Sequence, residues 1–551
     1  MSPSLSSRRD FLATTSVSAA GAMLARRLGA QLLPSAVKRS PLSATTIFPA
    51  PMAPAWLQSL ATTAVNAARD AGATYADIRL AERHFMSVSS IDPSKFDPGF
   101  RLESAFTYGV RALVDGAWAF AYGTSPSESA VVASARAAVT SARGFAKTAT
   151  RRVDFAPAPV VTGEWETPTR LDPFTVPLED HTAFLGACSL AANRVRHAWG
   201  SLGIDWTKET RVFASSEGSL TTQRYWRTWP WIFIGASLHV GRGVVVPVPT
   251  LVPSSGGYEV VDFPGVEDDI KRTAEEAAQL AMLPLGTMDV GRYPIVFDGL
   301  TLGATFGRTV GAALELDRVL GYEADASGTS YLSPPASMLD APVVSPLLNV
   351  TGHRAPPSFL ATKWDDDGVE SRPFPLVNQG RLVDYSSTRH TATALQSYYA
   401  GHGRTPSSNG CATAYQAELP VSVASPHLTI APGTTRASLE DLYKDMSHGL
   451  LVRMGSDVAV DHQLASGFSS DGCVFEIVKG KIVRQIFGSA FEFSTARHWK
   501  SLAALGDART TLTAAFDSEK GQPWHRMIQS TTAPAGLFKD VNVMSTRVSL
   551  S

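Results

Sequence analysis

The sequence predicts an α+β fold: an N-terminal helix and sheet domain followed by a mostly antiparallel β domain. Three observations carry that expectation. An amphipathic helical pattern opens the folded part, period-two strands joined by tight turns follow it, and short strands with glycine turns dominate the second half.

Ala55 to Ala71 places Leu57, Leu60, Ala61, Ala64, Val65 and Ala68 on one helical face, and Gly72 stops the helix. Alternation then predicts strands at 76–81, 85–89, 104–114 and 117–122, with Asp115-Gly116 as a hairpin turn. Ser125-Pro126-Ser127-Glu128 has a capping serine at Ser125, proline at the first helical position and an acid three residues after the cap, and it launches an Ala-rich helix to about Ala142. A second block holds a helical pattern from Leu178 to Ala198 and strands near 211–215, 220–225, 231–240 and 243–247. The aromatic-rich strand Trp226 to Phe233 reads as core packing. A charged amphipathic helix from Val266 to Leu283 ends at Pro284.

Residues 285–292 lose any clear period and set the expected domain boundary. Beyond it come a strand at Tyr293 to Phe297, a helix from about Leu302 to Leu320 and a long Ser/Pro-rich loop to Pro346. Short strands follow at 373–378, 382–386, 474–478 and 482–487, with turns at Asn378-Gln379-Gly380 and Lys479-Gly480. Ser438 to Asp441 caps a further helix, and Leu502 to Leu505 is assigned to a short one.

Ahead of the fold, Ser7-Arg8-Arg9-Asp10-Phe11-Leu12 sets two arginines directly before a mildly apolar stretch, Leu12 to Leu24. The stretch is too short and too weakly apolar for a permanent membrane anchor. The motif has the form of a twin-arginine export signal, so a periplasmic or extracellular location is expected. Pro41 to Pro54 reads as a Pro-rich spacer, which gives the division 1–53 signal and spacer, 54–284 N-terminal domain and 285–551 C-terminal domain. Lys plus Arg (49) balance Asp plus Glu (50) and no basic block carries interleaved aromatics, so nucleic acid is not an expected partner. Cys188, Cys411 and Cys473 are odd in number and far apart, which argues against a disulfide framework or a metal knuckle and for buried free thiols.

Several blocks resemble the TldD/PmbA family, also called modulator of DNA gyrase. They are Ala71-Gly72-Ala73-Thr74-Tyr75-Ala76-Asp77-Ile78-Arg79, Gly109 to Phe120, Gly311-Ala312-Ala313-Leu314-Glu315-Leu316-Asp317-Arg318, Trp364-Asp365-Asp366-Asp367-Gly368-Val369 and the strand-turn-strand Leu376 to Tyr385. The resemblance implies a metallopeptidase fold over about Ala55 to Val543. It also implies a zinc site in active relatives: a helix reading His-Glu-x-x-Gly-His before an Ala-Leu-Glu-x-Asp tail, with a cysteine near the C-terminus.

Laid on that motif, the first His falls on Gly307, the Glu on Arg308 and the second His on Ala312, while Gly311, Glu315 and Asp317 of the tail are retained. The family's Cys-Gly-Lys-x-Gly-Gln resembles Asp517-Ser518-Glu519-Lys520-Gly521-Gln522, without the cysteine. Glycine and alanine supply no ligand atom and Arg308 adds a positive charge, so no cofactor and no bound metal are expected.

Other residues do not rebuild a site by pattern. His353, His390, His402, His448 and His462 form no helical ligand pair, no Gly-x-Ser-x-Gly elbow occurs, and Glu315 and Asp317 are not spaced to face each other on a helix. Asp365, Asp366 and Asp367 before Gly368 read as a tight solvated turn and not as a calcium loop. The leading expectation is a metal-less pseudopeptidase subunit that shapes a peptide-binding chamber, as a homodimer or with an active homologue. The alternatives are an active hydrolase with unrecognised ligands and a stand-alone peptide-binding module.

Overall fold

The computed structural model describes residues 48–90, 96–239, 242–454, 457–470 and 472–546; the arginine pair and the apolar stretch behind it lie outside them. Among the described residues no helix is long and apolar enough to cross a membrane.

The fold is α+β, built on three main sheets. The first has nine strands, with the long strands Tyr75–Ser90, Gly99–Val114 and Ala198–Ser215 pairing antiparallel near its centre. Asp115 and Gly116 make the predicted hairpin, both with positive φ. The helices Pro54–Asp70 and Glu128–Ala146 bury alanine-rich faces in one core with Ile78, Leu80, Val110 and Val212. Small residues on both helices let them lie close to the sheet and to each other. The cap is Ser127, two residues beyond the expected Ser125, and it accepts from the Ala130 N–H, so Pro126 lies outside the helix and Glu128 opens it. The segment read as a spacer contributes to this fold: Phe48 packs 5.1 Å from the His84 ring and 5.2 Å from Phe174.

The other two sheets form the C-terminal half. A ten-stranded sheet centres on Gly291–Phe297, flanked by the parallel strand His448–Arg453 and the antiparallel strand Gly536–Ser545. A six-stranded sheet ends in the pair Leu512–Lys520 and His525–Ala533. The shared core contains Phe297, Leu302, Phe306, Leu428, Trp499 and Phe538. Packing runs across the expected boundary at 285–292. Val244, Val246 and Ala277 share one cluster with Val296, Leu451 and Phe475.

The strand expected over 382–386 is reduced to Arg381–Leu382, and three other expected elements differ. Leu502–Leu505 is a strand on Gly536–Ser545, and the helix lies just before it at Thr495–Lys500. Ser438 and Asp441 each accept from the other's backbone N–H, but the helix that follows is a single 3-10 turn, Glu440–Leu442. The continuous helix expected over Leu302 to Leu320 is broken into Gly299–Phe306, a π-helical turn Gly307–Gly311 and the short helix Leu316–Val319. Thr309 Oγ1 donates to the Thr305 carbonyl at 2.6 Å, which competes with the regular ladder at the point where it widens. The chain then leaves helical geometry because Leu314 and Leu316 exchange backbone hydrogen bonds with Ser386.

Candidate functional site

The segment 299–319 begins with Asp298, whose carboxylate caps the Thr301 N–H at 2.8 Å. Gly299 and Gly303 let the helix rest on the end pair of the six-stranded sheet. A Cβ at Gly299 would lie 2.4 Å from the Ala533 carbonyl, and one at Gly303 3.0 Å from that of Thr531. In the π turn, a residue and the fifth after it stand one above the other, so Gly307 and Ala312 share a face.

That face is filled. A Cβ on Gly307 would meet Phe516 Cζ and Thr531 Oγ1, each at 3.0 Å. The Arg308 guanidinium lies 4.2 Å over the Phe516 ring, and burial pushes it below its ordinary pKa, although Asp457 and Asp517 pull the other way. Ala312 is buried. Strand alternation separates the two residues laid on the family's cysteine region. Asp517 is exposed and pairs with Arg526 at 2.6 Å, whereas Phe516 and Lys520 on the opposite face meet the motif segment, and Ser518 lies between them on that same face.

The retained tail has a structural use. Lys520, 2% exposed, donates to Glu315 Oε2 and Asp317 Oδ1 at 2.7 Å each and to the Val423 carbonyl at 2.6 Å. All three ammonium protons are spoken for. Arg318 Nε adds a bond to Glu315 Oε2 at 2.9 Å, and the Ser425 and Val423 N–H groups donate to Glu315 and Asp317. Ser425 Oγ donates to the Gly311 carbonyl. Burial raises the Glu315 carboxyl, but Lys520 and Arg318 outweigh it and hold the pKa below the usual value. At Asp317 burial wins over Lys520 and the pKa is raised. Glu315 and Asp317 are thus joined through a lysine, which helical spacing alone did not reveal. The three Lys520 protons are all engaged, so the cluster ties the segments 311–318, 422–425 and 512–520 together.

The aspartate run is corrected more sharply. Asp365, Asp366 and Asp367 are buried, not solvated. Gly368 takes φ +75°, which closes the turn and pushes it against the first sheet. There Asp367 meets Arg111 at 2.7 Å and Asp366 meets Arg211 at 2.9 Å, while Asp77 pairs with both Arg79 and Arg111. Asp365 accepts from the N–H groups of Asp367, Val369 and Ala412. The missed signal is the set of arginines at alternate strand positions, Arg79, Arg111 and Arg211, which could not face water inside a sheet.

The histidines stay dispersed. His448 pairs with Glu476 at 2.8 Å, His402 bonds the Tyr398 carbonyl, and His390 stacks on Tyr322. His353 faces His427, a residue the sequence did not single out, with ring centroids 4.8 Å apart. His427 is held between the hydroxyls of Ser530 and Thr532, 2.9 Å from each. Among the described residues no three His, Cys, Asp or Glu side chains come together in a way that could hold a metal ion. The three cysteines are buried and unpaired.

Comparison with known proteins places this architecture. Residues 290–545 match the PmbA/TldA metallopeptidase C-terminal domain, and residues 100–142 match domain 1 of the same metallopeptidases. The chain belongs to the TldD/PmbA family. A metalloprotease of Methanothermobacter thermautotrophicus is 24% identical over 391 residues, 70% of this chain and 78% of the relative. One from Synechocystis is 27% identical over 199 residues, 36% of this chain and 40% of that protein. TldE from Thermococcus kodakarensis superposes with a TM-score of 0.63 at 15% identity, covering 89% of this chain and all of TldE. A Thermotoga maritima protein proposed as a modulator of a DNA gyrase gives 0.64 at 14% identity, with 89% of this chain and all of that one covered.

For this TldD/PmbA chain the zinc that the family implies does not fit the residues present. Gly307 and Ala312 have no donor atom, Arg308 brings a cation, and Phe516 fills the space beside them. No step through a metal follows from this segment.

Proposed function

We propose that this chain is an exported, metal-less member of the TldD/PmbA family that acts as a pseudopeptidase subunit, shaping a peptide-binding chamber with a second copy or with an active homologue. One observation carries the reading: the shell around the motif segment is complete, while the three positions laid on the metal ligands hold Gly307, Arg308 and Ala312. The Lys520 cluster and the buried arginine–aspartate network maintain the shape that association needs. A residual role in shape accounts for a fold kept without the donors of the chemistry. Substrates on this reading are peptides or unfolded polypeptides. The twin-arginine motif at Arg8 and Arg9 supports a site of action outside the cytoplasm.

The test is affinity purification from the native host at physiological salt, with light scattering and a peptide-cleavage assay on the eluate. A dimer, or a complex with a homologue bearing the intact His-Glu-x-x-Gly-His helix, is expected. A strict monomer without a co-purifying homologue refutes the partner model, and cleavage by this chain alone refutes the pseudopeptidase.

A further inference from the structure

A cavity lies where the first sheet meets the six-stranded sheet, walled by residues of both and by the connections at 354–366 and 412–415. The space open to the centre of a water molecule is ≈ 60 Å³. That is room for roughly four waters, or for one small charged head group.

Three guanidinium groups line it: Arg211, Arg227 and Arg354. Arg211 is spent, since its Nη1 donates to both Asp366 oxygens and to the Ala414 carbonyl, all at 2.9 Å. The other two are not. Arg354, 8% exposed, donates from Nη2 to Thr413 Oγ1 at 2.9 Å and to the Ala424 carbonyl at 3.2 Å, and its buried Nε has no acceptor. Arg227 lies 4.4 Å over the Tyr225 ring, and its Nε is likewise buried without an acceptor. Among the described residues no carboxylate comes within ion-pairing distance of either.

The aspartates in the wall do not neutralise them. Asp366 is fully engaged by Arg211 and the Ala414 N–H. Asp365 has its oxygens on three backbone N–H groups, and burial and the neighbouring Asp367 push its pKa up to about 8. Burial lowers the pKa of Arg227, although Glu209 and Tyr225 pull the other way. Neither guanidinium is in ion-pair contact with a carboxylate among the described residues, each has a buried Nε without an acceptor, and guanidinium is the side chain suited to clasping an oxyanion.

The geometry points to an anion subsite in which Arg227 and Arg354 hold the C-terminal carboxylate of a peptide. The choice of a peptide as the source of the carboxylate rests on the chamber reading above; the anion chemistry does not. The cavity also abuts the motif segment, because Ser425 in its wall donates to Gly311 and Glu315. Phe359, Trp364 and Met527 supply the apolar part of its wall.

The test uses the purified full chain, with Trp364 in the wall as a fluorescence reporter and calorimetry in parallel. Acetyl-Ala-Ala-Leu as the free acid, its C-terminal amide and sodium phosphate are the probes. The free acid is expected to bind, with the amide at least about ten-fold weaker. Arg227→Gln is expected to lose ten-fold or more for the acid and nothing for the amide, with a ligand-free Tm close to that of the parent because Arg227 makes no direct ion pair. Arg354→Lys is the second variant, since Lys keeps the charge and can still reach Thr413 while losing the fork; it should weaken the acid selectively. Equal binding of acid and amide, or wild-type acid binding by Arg227→Gln, overturns the subsite and leaves the peptide reading standing. Binding of phosphate but of neither peptide overturns the carboxylate assignment, and binding of none of the three overturns both.

Discussion

Lys520→Met is the most informative single change in the fold around the motif. The substitution keeps the apolar stem and removes an ammonium that touches Glu315, Asp317 and the Val423 carbonyl at 2.6–2.7 Å. Glu315 retains Arg318 and Ser425, so the heavier loss falls on Asp317, which keeps only the Arg318 and Val423 N–H groups. Removing one partner from a buried ion pair costs about 3–5 kcal/mol, because the remaining charge is stranded out of water. A urea titration followed by tryptophan fluorescence should show that loss as a lower midpoint at unchanged slope. Adding Asp317→Asn to Lys520→Met should recover most of it, since the stranded charge is then gone, and the pair should be strongly non-additive. A loss below about 1 kcal/mol, or simple additivity in the double variant, would refute the assignment of Lys520 as the tie between the motif tail and the strand 512–520.

Acid should destabilise the protein well above the carboxylate range. Burial pushes His427 and His498 down to about 3 and His181 to about 4, so all three are neutral when folded and titrate near 6.5 when unfolded. Their contribution is complete above about pH 6.5 and is lost as pH falls towards 3, at up to about 1.4 kcal/mol per pH unit for each histidine. Tm measured from pH 7 to pH 4 should fall steeply and His427→Gln should flatten the curve; a flat wild-type profile would contradict the buried neutral assignment. Rebuilding the metal site should need space as well as ligands: Gly307→His, Arg308→Glu and Ala312→His with Ser518→Cys should take up zinc only when Phe516→Gly is added, measured by metal content after dialysis. Cysteine at Asp517, on the outer face of its strand, should not help. Arg8→Lys with Arg9→Lys should leave the precursor in the cytoplasm, as read by fractionation, and unchanged periplasmic accumulation would refute the export reading.

Much of the fold was legible because local patterns and tertiary packing agree. The first helix, the Asp115-Gly116 hairpin, the Ala-rich helix Glu128–Ala146 and the Lys479-Gly480 turn are all set by period and turn chemistry acting over a few residues. The failures share another cause. The apolar period from Leu302 onward continues through the π turn, but a threonine back-bond and a bridge to Ser386, remote in sequence, break the helix. Leu502–Leu505 carries too few residues to declare itself and becomes a strand through its partner Gly536–Ser545. The aspartates at 365–367 read as solvated because their counter-ions, Arg111 and Arg211, lie more than 150 residues away. Around the motif, the absence of donors at Gly307 and Ala312 was plain, whereas the role of Lys520 depended on a contact across about two hundred residues.

On the function proposed above, this TldD/PmbA chain keeps the shell of a metallopeptidase and binds no zinc. Metal analysis of protein expressed with zinc available and then dialysed tests it most directly, with melting followed in the presence and absence of a chelator. The account predicts far less than one equivalent of zinc and no shift of Tm on chelation. One equivalent of zinc, with Tm lowered by the chelator, would contradict it.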